Sequence, residues 1–399
     1  MVLAAVARSV GGDLDRAEDA VQNAVEAALR TWPRDGVPAR PAAWMTTVAK
    51  RAAWRDAPAV QHTGAIEEIS ALDIETGETT LADERLELMF ACCHPALGDE
   101  AHVLLMLRHV AGLSSQQIAD GLLVSEAAIE QRLVRARRKL LESGIRPRVP
   151  DTDVLEARLA AILAAIYLVF NHGYAAPRGA DRLALDLCTD AEDLAGILAA
   201  SLPHNPETIG MALLLTSHTA RSAARFDADG RSIPLEEQDR SSYDPVRIRR
   251  AARLAAALDE INAPPGVYAL QGRIAHEHLA APAASETDWA AICNRYEQLL
   301  RLQPTPVVEL NLAAAEAMAR GPHVGLARIE RLLTRNRELD DYAPLHMTRA
   351  ELERRAGNSE RAIQHVRRAL ELSPPDSAEH ADIVAHARRH FPIGKRIWE

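Results

Sequence analysis

Aromatic side chains, cysteines and long apolar runs are scarce in this chain of 399 residues. Aromatics account for 4% of the sequence, and its four cysteines are too few for a disulfide framework in a chain of this length. No apolar stretch approaches the roughly 20 residues of a membrane-spanning helix, and no secretory leader opens the sequence. We therefore expect a reduced, cytoplasmic protein that does not enter a membrane.

Strand-forming segments and excess positive charge are also missing. β-branched runs are rare, and the composition is dominated by Ala, Leu and Arg. These residues favour helices, so the sequence predicts an all-α fold. The formal net charge of −10 excludes the broadly basic surface that indiscriminate DNA binding requires, so any contact with nucleic acid must come from a local patch.

The first 56 residues predict two helices. In DLDRAEDAVQNAVEAALRTWP, apolar residues recur at helical spacing. Asp13 or Asp15 can cap this helix, and Pro33 is expected to end it. The second helix is RPAAWMTTVAKRAAWR, with Pro41 in its first turn. After it the composition turns to Pro, Gly, Thr, Glu and Asp, which predicts a linker over residues 57–80.

Residues 81–148 predict a helix-turn-helix domain. The segment DEAHVLLMLRHVAG forms a helix ended by Gly112, the short helix SSQQIADGLL follows, and SEAAIEQRLVRARRKLLESG forms a long basic helix. Arg132 and Arg135 lie three residues apart, so both are expected on one face, close to Arg137, Arg138 and Lys139. Such a helix can enter the major groove; a solvated basic face is the plainer alternative.

Residues 149–399 predict a helical extension of a different texture. Its segment YAPLHMTRAELERRAGNSERAIQHVRRALELSP has the spacing of a tetratricopeptide helix pair, with a turn at Gly357 and Asn358 and a closing Pro374. Stacked pairs of this kind bury a continuous core and leave a concave face for partners. The extension is therefore expected to end in a repeat-like stack.

Several of these motifs together point to a family. GLSSQQIADGLLVSEAAIEQRLVRARRKL resembles region four, and DLDRAEDAVQNAVEAALRTWP region two, of the extracytoplasmic-function sigma factors, bacterial RNA polymerase subunits of the sigma-70 family. FACCHPAL, LVFNHGY and YALQGRIAHEH are similar to the subgroup with a tetratricopeptide-like C-terminal extension. The resemblance covers nearly the whole chain. It implies a transcription-initiation protein that binds core RNA polymerase at the β′ clamp and recognises promoter DNA.

The resemblance also implies domains and residue roles. A truncated region 2-like segment (1–56), the linker (57–80), a region 4-like domain (81–148) and the extension (149–399) would follow one another. Polymerase would be bound by Asp19, Gln22, Asn23 and Glu26. Promoter DNA would be bound by Ser125, Gln131, Arg132, Arg135, Arg138 and Lys139 in the upstream element, and by Lys50, Arg51 and Arg55 in the downstream element.

Two segments depart from the family pattern. The TVAKR helix stops at AAWRDAP instead of continuing into the Arg- and Leu-rich run used for promoter melting, and residues 1–56 contain eight Lys or Arg against seven Asp or Glu. In the reading helix, Ala128 replaces the usual hydroxyl, and Glu130 puts a carboxylate near the phosphates. We therefore expect a DNA-binding surface that is thinned in region two and altered in region four.

The extension also contains a candidate ligand pocket. It would be formed by His218, Arg221, Arg225, Gln238, Asp239, Arg240 and His278 and would bind a signal ligand or a partner protein, although an interior polar network is the competing interpretation. Cys92, Cys93 and His94 lie together. Adjacent cysteines on a helix diverge, so we expect buried thiols there and no metal.

Two functions stay open. No nucleophile motif, P-loop, dinucleotide fingerprint or HExxH sequence occurs, so no cofactor and no catalytic residue are predicted. The first function is a sigma factor-like protein that its C-terminal helical domain regulates in cis. The alternative is a sigma-like protein repurposed as a biosynthetic-pathway enzyme or ligand-binding protein that uses the polar pocket.

Overall fold

The fold is known from a computed structural model. It describes residues 2–55, 79–122, 124–145, 148, 150, 152–174, 182–227 and 230–391. All regular elements in these ranges are helical, apart from a single bridge between Phe226 and Ser232, which confirms the predicted all-α class. None of the described helices combines the length and the apolarity that a bilayer crossing requires.

The described residues form two compact units, one up to Leu202 and the other from Pro203. The α-helices described in the first unit are α1 (Val2–Ser9), α2 (Leu14–Asp35), α3 (Pro41–Arg55), α4 (Thr79–Cys92), α5 (Asp99–Leu105), α6 (Ser115–Leu122), α7 (Glu126–Glu142), α8 (Thr152–Tyr174) and α9 (Arg182–Ser201). The predicted linker, as far as residue 78, lies outside the described residues.

Both ends of α2 are fixed by identifiable groups. The Asp13 carboxylate caps the start by accepting a hydrogen bond from the Arg16 N–H at 3.1 Å. The prediction that Pro33 ends the helix is wrong, since α2 continues through this proline to Asp35. Gly36 ends the helix instead: its φ of 84° turns the chain, and its N–H donates to the Trp32 carbonyl at 2.9 Å.

The helix-turn-helix segment departs from regular α-helix at one place. α5 continues into a π-helical turn over Met106–Ala111, where the sequence predicted one unbroken helix. Gly112, with a φ of 83°, ends this turn as predicted. The wider turn sets the positions of Arg108 and His109, and π-turns of this kind are frequent at functional sites.

The short helix α6 begins with a reciprocal cap. Ser114 Oγ accepts from the Gln117 N–H at 3.1 Å, and Gln117 Oε1 accepts from the Ser114 N–H at 2.8 Å. This arrangement satisfies two backbone donors that the helix itself leaves free.

The extension begins inside the first unit. α8 and α9 pack against each other and against α4, α5 and α6, whereas the predicted domain boundary at 148/149 would separate them from these helices. Arg158 of α8 donates to the Phe90 carbonyl and lies 5.7 Å from the centroid of the fully buried Phe90 ring. α8 therefore covers the core that α4 supplies, and the compact unit extends to Leu202.

The second unit is a succession of α-helices, several of which pack in pairs with the next helix along the chain. Its described α-helices are α10 (Pro206–Thr219), α11 (Pro245–Glu260), α12 (Val267–Ala280), α13 (Trp289–Leu302), α14 (Pro306–Arg320), α15 (Pro322–Arg335), α16 (Ala343–Arg355), α17 (Ser359–Leu372) and α18 (Ala378–His390). The predicted repeat corresponds to α16 and α17. These two helices pack on each other across the turn at Gly357, which has a φ of 84°.

α10 and α12 approach each other unusually closely. A Cβ added to Gly272 would lie 2.5 Å from the Gly210 carbonyl oxygen, so the backbones meet where neither residue has a side chain. The carboxylate of Glu207 on α10 also accepts from the backbone N–H groups of Tyr268 and Ala269, at 3.0 and 2.9 Å. This carboxylate caps α12 from a neighbouring helix.

Candidate nucleic-acid interface and C-terminal basic cluster

The basic helix α7 is fixed to the first unit by one apolar face. Ile129, Leu133, Ala136 and Leu140 are buried, and their spacing of three to four residues places them on a single side of the helix. Ser125 caps the start, its hydroxyl accepting from the Ala128 N–H at 3.3 Å. The predicted DNA contact Ser125 therefore has a structural task at the entry of α7.

The opposite face of α7 is exposed. It presents Gln131, Val134, Arg135, Arg138 and Lys139. The Arg138 guanidinium forms an ion pair with Glu142 at 2.6 Å, but both side chains are mostly in solvent, where such a pair contributes little to stability. Gln131, Arg135 and Lys139 are exposed side chains of this face that have the chemistry to bind base edges.

Arg132 is less exposed than Arg135 and is engaged within the protein. Its guanidinium forms an ion pair with Glu100 of α5 at 2.6 Å, and the residue is only half-exposed. Glu130 is also turned back, because its carboxylate accepts a hydrogen bond from the Ser115 hydroxyl of α6. The carboxylate expected to weaken phosphate contacts is therefore engaged within the protein, and so is one of the two arginines expected to read DNA.

A cluster of ion pairs joins α7 to the region 2-like helix α2. Arg137, whose side chain is 12% exposed, lies 3.0 Å from Asp15 and 3.3 Å from Glu18. Glu18 also contacts Arg108 at 3.1 Å and His109 at 3.3 Å, both in the π-helical turn. We call these five residues the α2–α7 clasp. The clasp ties the helix predicted to bind polymerase, α2, to the helix predicted to read DNA, α7, within one compact unit.

The electrostatics of the clasp follow from burial and charge. Burial alone would raise the pKa of Glu18, but the contact with His109 and the charges of Arg108 and Arg137 outweigh it and lower that pKa. Burial lowers the pKa of His109, although Glu18 opposes the shift. Glu18 is therefore an anion shared by two guanidinium groups, and His109 is held as a neutral imidazole at neutral pH.

The predicted polymerase-binding residues lie together on the outer face of α2. Asp19, Gln22, Asn23 and Glu26 are all exposed, while Ala17, Ala20, Ala24 and Ala28 are buried on the other side. On α3, Arg51 and Arg55 are exposed and Lys50 is half-buried. The predicted contacts on both helices thus remain accessible within the first unit.

The cysteines of ACCHPAL lie in the core. Cys92 and Cys93 are both fully buried free thiols. Burial raises the pKa of Cys92 to about 12 and that of Cys93 well above its usual value. Both thiols stay protonated at neutral pH, and they pack as small apolar groups, as the sequence predicted.

The predicted ligand-pocket residues of the second unit fall into two sets. His218, Arg221, Arg225, Arg240 and His278 interact electrostatically with one another where α10 ends and α12 ends; we call this set the C-terminal basic cluster. Gln238 and Asp239 have local roles. Gln238 donates to the Ile233 carbonyl and accepts from the Tyr243 hydroxyl, and Asp239 accepts from Ser241 and Ser242.

A cleft of about 980 Å³ was not anticipated from the sequence. It lies beside α15 and is lined by Arg328, Arg331 and Arg335, with Glu309 opposite. Glu309 and Glu316 hold Arg328, and Glu309 also pairs with Arg335 at 2.7 Å. Most of the positive charge at this cleft is therefore compensated within the protein.

Most residues of the α2–α7 clasp were not predicted from the sequence. Asp15, Glu18, Arg108 and His109 were not predicted as site residues, and Arg137 appeared only as one of five basic residues on α7. Two features of the sequence could have pointed to them. Arg137 lies next to the apolar positions of α7 that pack into the core, and α2 carries two carboxylates, Asp15 and Glu18, three residues apart. Their partnership depends on how α2 packs beside the π-helical turn, which no local pattern encodes.

Comparison with known proteins assigns three parts of the chain. Residues 2–57 match the family model of sigma-70 region 2, residues 87–140 match sigma-70 region 4, and residues 158–258 match a family of unknown function, DUF6596. An uncharacterized protein of Rhizobium meliloti (strain 1021) is 38% identical over 374 residues, which cover 90% of this chain and 87% of that protein. No solved structure matches the chain.

Proposed function

Since the chain belongs to the sigma-70-type factors, with regions 2 and 4 followed by a DUF6596 segment, we propose that it binds core RNA polymerase through α2 and recognises promoter DNA through α7. Within the sigma-70 type, we place it in the extracytoplasmic-function group with a tetratricopeptide-like extension. The polymerase contact would be the β′ clamp, bound by the exposed face of α2 that carries Asp19, Gln22, Asn23 and Glu26.

One observation carries the proposal: α7 keeps an exposed face with Gln131, Arg135, Arg138 and Lys139 in a protein whose net charge is −10. An amide can bond adenine through two atoms, and a guanidinium can bond guanine in the same way. The flanking cations suit phosphates, which supply most of the affinity of a DNA-binding protein. Arg135 would therefore contribute to sequence discrimination, and Lys139 to general affinity.

The α2–α7 clasp adds a conformational step to this proposal. While Arg137 is bound to Asp15 and Glu18, its guanidinium is not available to a phosphate. Separating α2 from α7 would release it and add a cation to the DNA-binding face. The extension would regulate output in cis: α8 and α9 support the region 4 helices, and the residues from Pro203 supply a ligand-dependent signal.

Promoter binding by purified full-length protein with core polymerase tests the proposal. We expect Arg135→Ala to weaken binding to the cognate promoter by about 5- to 150-fold, the range given by about 1–3 kcal/mol for a bidentate base contact. Binding to unrelated duplex should change far less. Lys139→Ala should weaken binding to both duplexes equally and lower the salt slope by about 0.9.

The matched control is Arg301→Ala, which removes an exposed helical arginine from α13. This variant should bind and transcribe as the unmodified protein does. The proposal fails if the unmodified protein, with its helicity intact, binds neither core polymerase nor duplex DNA at low ionic strength. It also fails in part if Arg135→Ala behaves like the control, because α7 would then not read the promoter.

A further inference from the structure

The cleft beside α15 is an open groove within the second unit. Its walls are the turn between α13 and α14, the first turn of α14 and the last two turns of α15. Its volume is about 980 Å³, and each lining residue is exposed or half-buried. A small-molecule pocket buries most of its ligand. An accessible groove of this size suits a segment of extended chain instead.

Two of the three guanidinium groups in the cleft are held in place by carboxylates. Arg328 donates to both oxygens of Glu316, at 2.6 and 2.9 Å, and Arg335 donates to Glu309 at 2.7 Å. The Glu316 and Glu309 side chains are only 5% and 13% exposed, whereas that of Arg335 is 60% exposed. Glu297 acts on Arg328 electrostatically but does not line the cleft. A ligand that enters therefore meets guanidinium groups before it meets carboxylates.

The third guanidinium, that of Arg331, has no carboxylate partner of this kind. Arg331 follows Arg328 by three residues and precedes Arg335 by four, so all three lie on one face of α15. Its side chain is exposed. Among the residues that the structure describes, only its backbone carbonyl is engaged, accepting from Thr334 Oγ and Arg335 Nε. The five N–H donors of its guanidinium are thus available to a ligand in the cleft.

The wall formed by the α13–α14 turn is apolar. Leu300, Pro304 and Pro306 line it. Leu302 and Val307, which flank these residues in the sequence, are 53% and 45% exposed. Large apolar side chains exposed singly are ordinary, but several of them together beside polar groups mark an interaction site. The cleft therefore combines a row of cations with an apolar wall.

We propose that this cleft is a docking site for an acidic peptide segment of a partner protein, in which Asp or Glu side chains stand next to apolar ones. Arg331 and Arg335 bind the carboxylates through charge-assisted hydrogen bonds, and the apolar side chains pack against Leu300 and the two prolines. The bond between Arg335 and Glu309 is an internal example of the same recognition. This site lies wholly in the second unit and does not depend on the proposed promoter recognition.

Selection from a random peptide library displayed on phage, against immobilised full-length protein, tests the proposal. Clones with Asp or Glu next to apolar residues should be enriched, and a parallel selection on Arg331→Gln should not enrich them. The comparison discounts peptides that bind the basic face of α7, because both proteins carry that face. The proposal is refuted if no acidic sequences are enriched, or if the two selections enrich the same ones.

Fluorescence anisotropy with a labelled peptide from the selection then gives affinities. Arg331→Gln should weaken binding by about tenfold or more, the usual effect of losing a charge-assisted hydrogen bond. Since Arg331 is exposed, this substitution should leave the fold intact, which circular dichroism checks. The matched control Arg253→Gln, at an exposed arginine of α11, should leave the affinity unchanged. Equal affinities of the two variants would refute the site.

Competition distinguishes a peptide from a small carboxylate. N-acetylglutamate has the carboxylate but no apolar neighbours, so it should displace the labelled peptide only at a far higher concentration than unlabelled peptide does. Displacement at equal concentration would make the cleft a site for small carboxylates and overturn the proposed peptide docking. These measurements need neither polymerase nor promoter, so their outcome is separate from that of the proposed function.

Discussion

At the scale of the single residue, buried histidines make the stability of the second unit depend on pH. Burial, aided by neighbouring cations, lowers the pKa of His218 to about 3 and the pKa values of His278 and His365 to about 4. In the unfolded chain each imidazole takes up a proton near pH 6.5. As the pH falls through 6.5, these imidazoles bind protons in the unfolded state but not in the folded state, so the free energy of unfolding decreases.

This linkage predicts a loss of about 1–2 kcal/mol per histidine between pH 7 and pH 5. Urea unfolding followed by circular dichroism at several pH values would measure it. Carboxylates whose pKa is lowered, such as Glu316, add to the loss only below about pH 4.5, so the window above pH 5 isolates the histidines. His365→Gln should flatten the curve, and a stability that stays constant from pH 7 to pH 5 would contradict the prediction.

At the scale of the element, the α2–α7 clasp would make the proposed DNA-binding face of α7 adjustable. Asp15→Asn and Glu18→Gln each remove one of the two carboxylates that bind Arg137, so its guanidinium is held less firmly and can turn to a phosphate. We predict tighter duplex binding for both variants and a salt slope that is steeper by about 0.9. Salt-dependent binding titrations of the full-length protein, with circular dichroism as a check on folding, would measure both.

The control for the clasp is Glu156→Gln, which neutralises an exposed carboxylate of α8. It makes the same change in net charge, so it reports any general electrostatic gain. If all three variants bind equally, the improvement comes from net charge and the clasp does not restrain Arg137. If Asp15→Asn and Glu18→Gln bind as the unmodified protein does, Arg137 is not a phosphate contact.

The element scale also separates what the sequence predicts from what it does not. Apolar spacing and caps identified α2, α3, α6 and α7, since a helix end is fixed by residues within a few positions of it, such as Asp13 or Ser125. The prediction that Pro33 ends α2 was wrong. A proline in the last turn removes only one hydrogen bond of the helix, and the hydrogen bond of the Gly36 cap compensates for that loss.

Candidate-site residues were less predictable than helices. Arg132 and Arg135 are three residues apart, yet Arg132 is half-exposed and paired with Glu100 of α5, whereas Arg135 is exposed. Five of the seven predicted pocket residues lie near one another, whereas Gln238 and Asp239 form hydrogen bonds within their own segment of the chain. The face of a helix on which a side chain lies follows from its position in the sequence. Its interaction partner depends on how distant elements pack, including the π-helical turn, which no sequence pattern predicted.

At the scale of the whole molecule, the net negative charge would restrict the proposed DNA binding to a local cationic face. A chain with a net charge of −10 is repelled by DNA in most orientations. Only an orientation that turns a local cationic face towards the DNA is favourable. The exposed side of α7 supplies that face in the first unit.

The division of the chain at Leu202 predicts how truncation will act. A chain ending at Arg148 loses α8 and α9, leaving Phe90 without the guanidinium of Arg158 and Arg85 without the charges of Asp190 and Asp193. Uncovering several large apolar side chains costs about 1.5–3 kcal/mol each, comparable in sum to the stability of a whole domain. We expect this chain to lose cooperative unfolding, and one ending at Leu202 to keep it.

Transcription from the promoter by the same two truncated chains distinguishes structural support of the first unit by α8 and α9 from regulation by the residues that follow Leu202. The chain ending at Leu202 retains both sigma-70 regions and their covering helices, so any change in its run-off transcription reports the influence of the residues from Pro203. Equal output from this chain and the full-length protein would refute regulation in cis. Cooperative unfolding of the chain ending at Arg148 would show instead that α8 and α9 are dispensable to the first unit, and that the natural boundary lies where the helix-turn-helix ends.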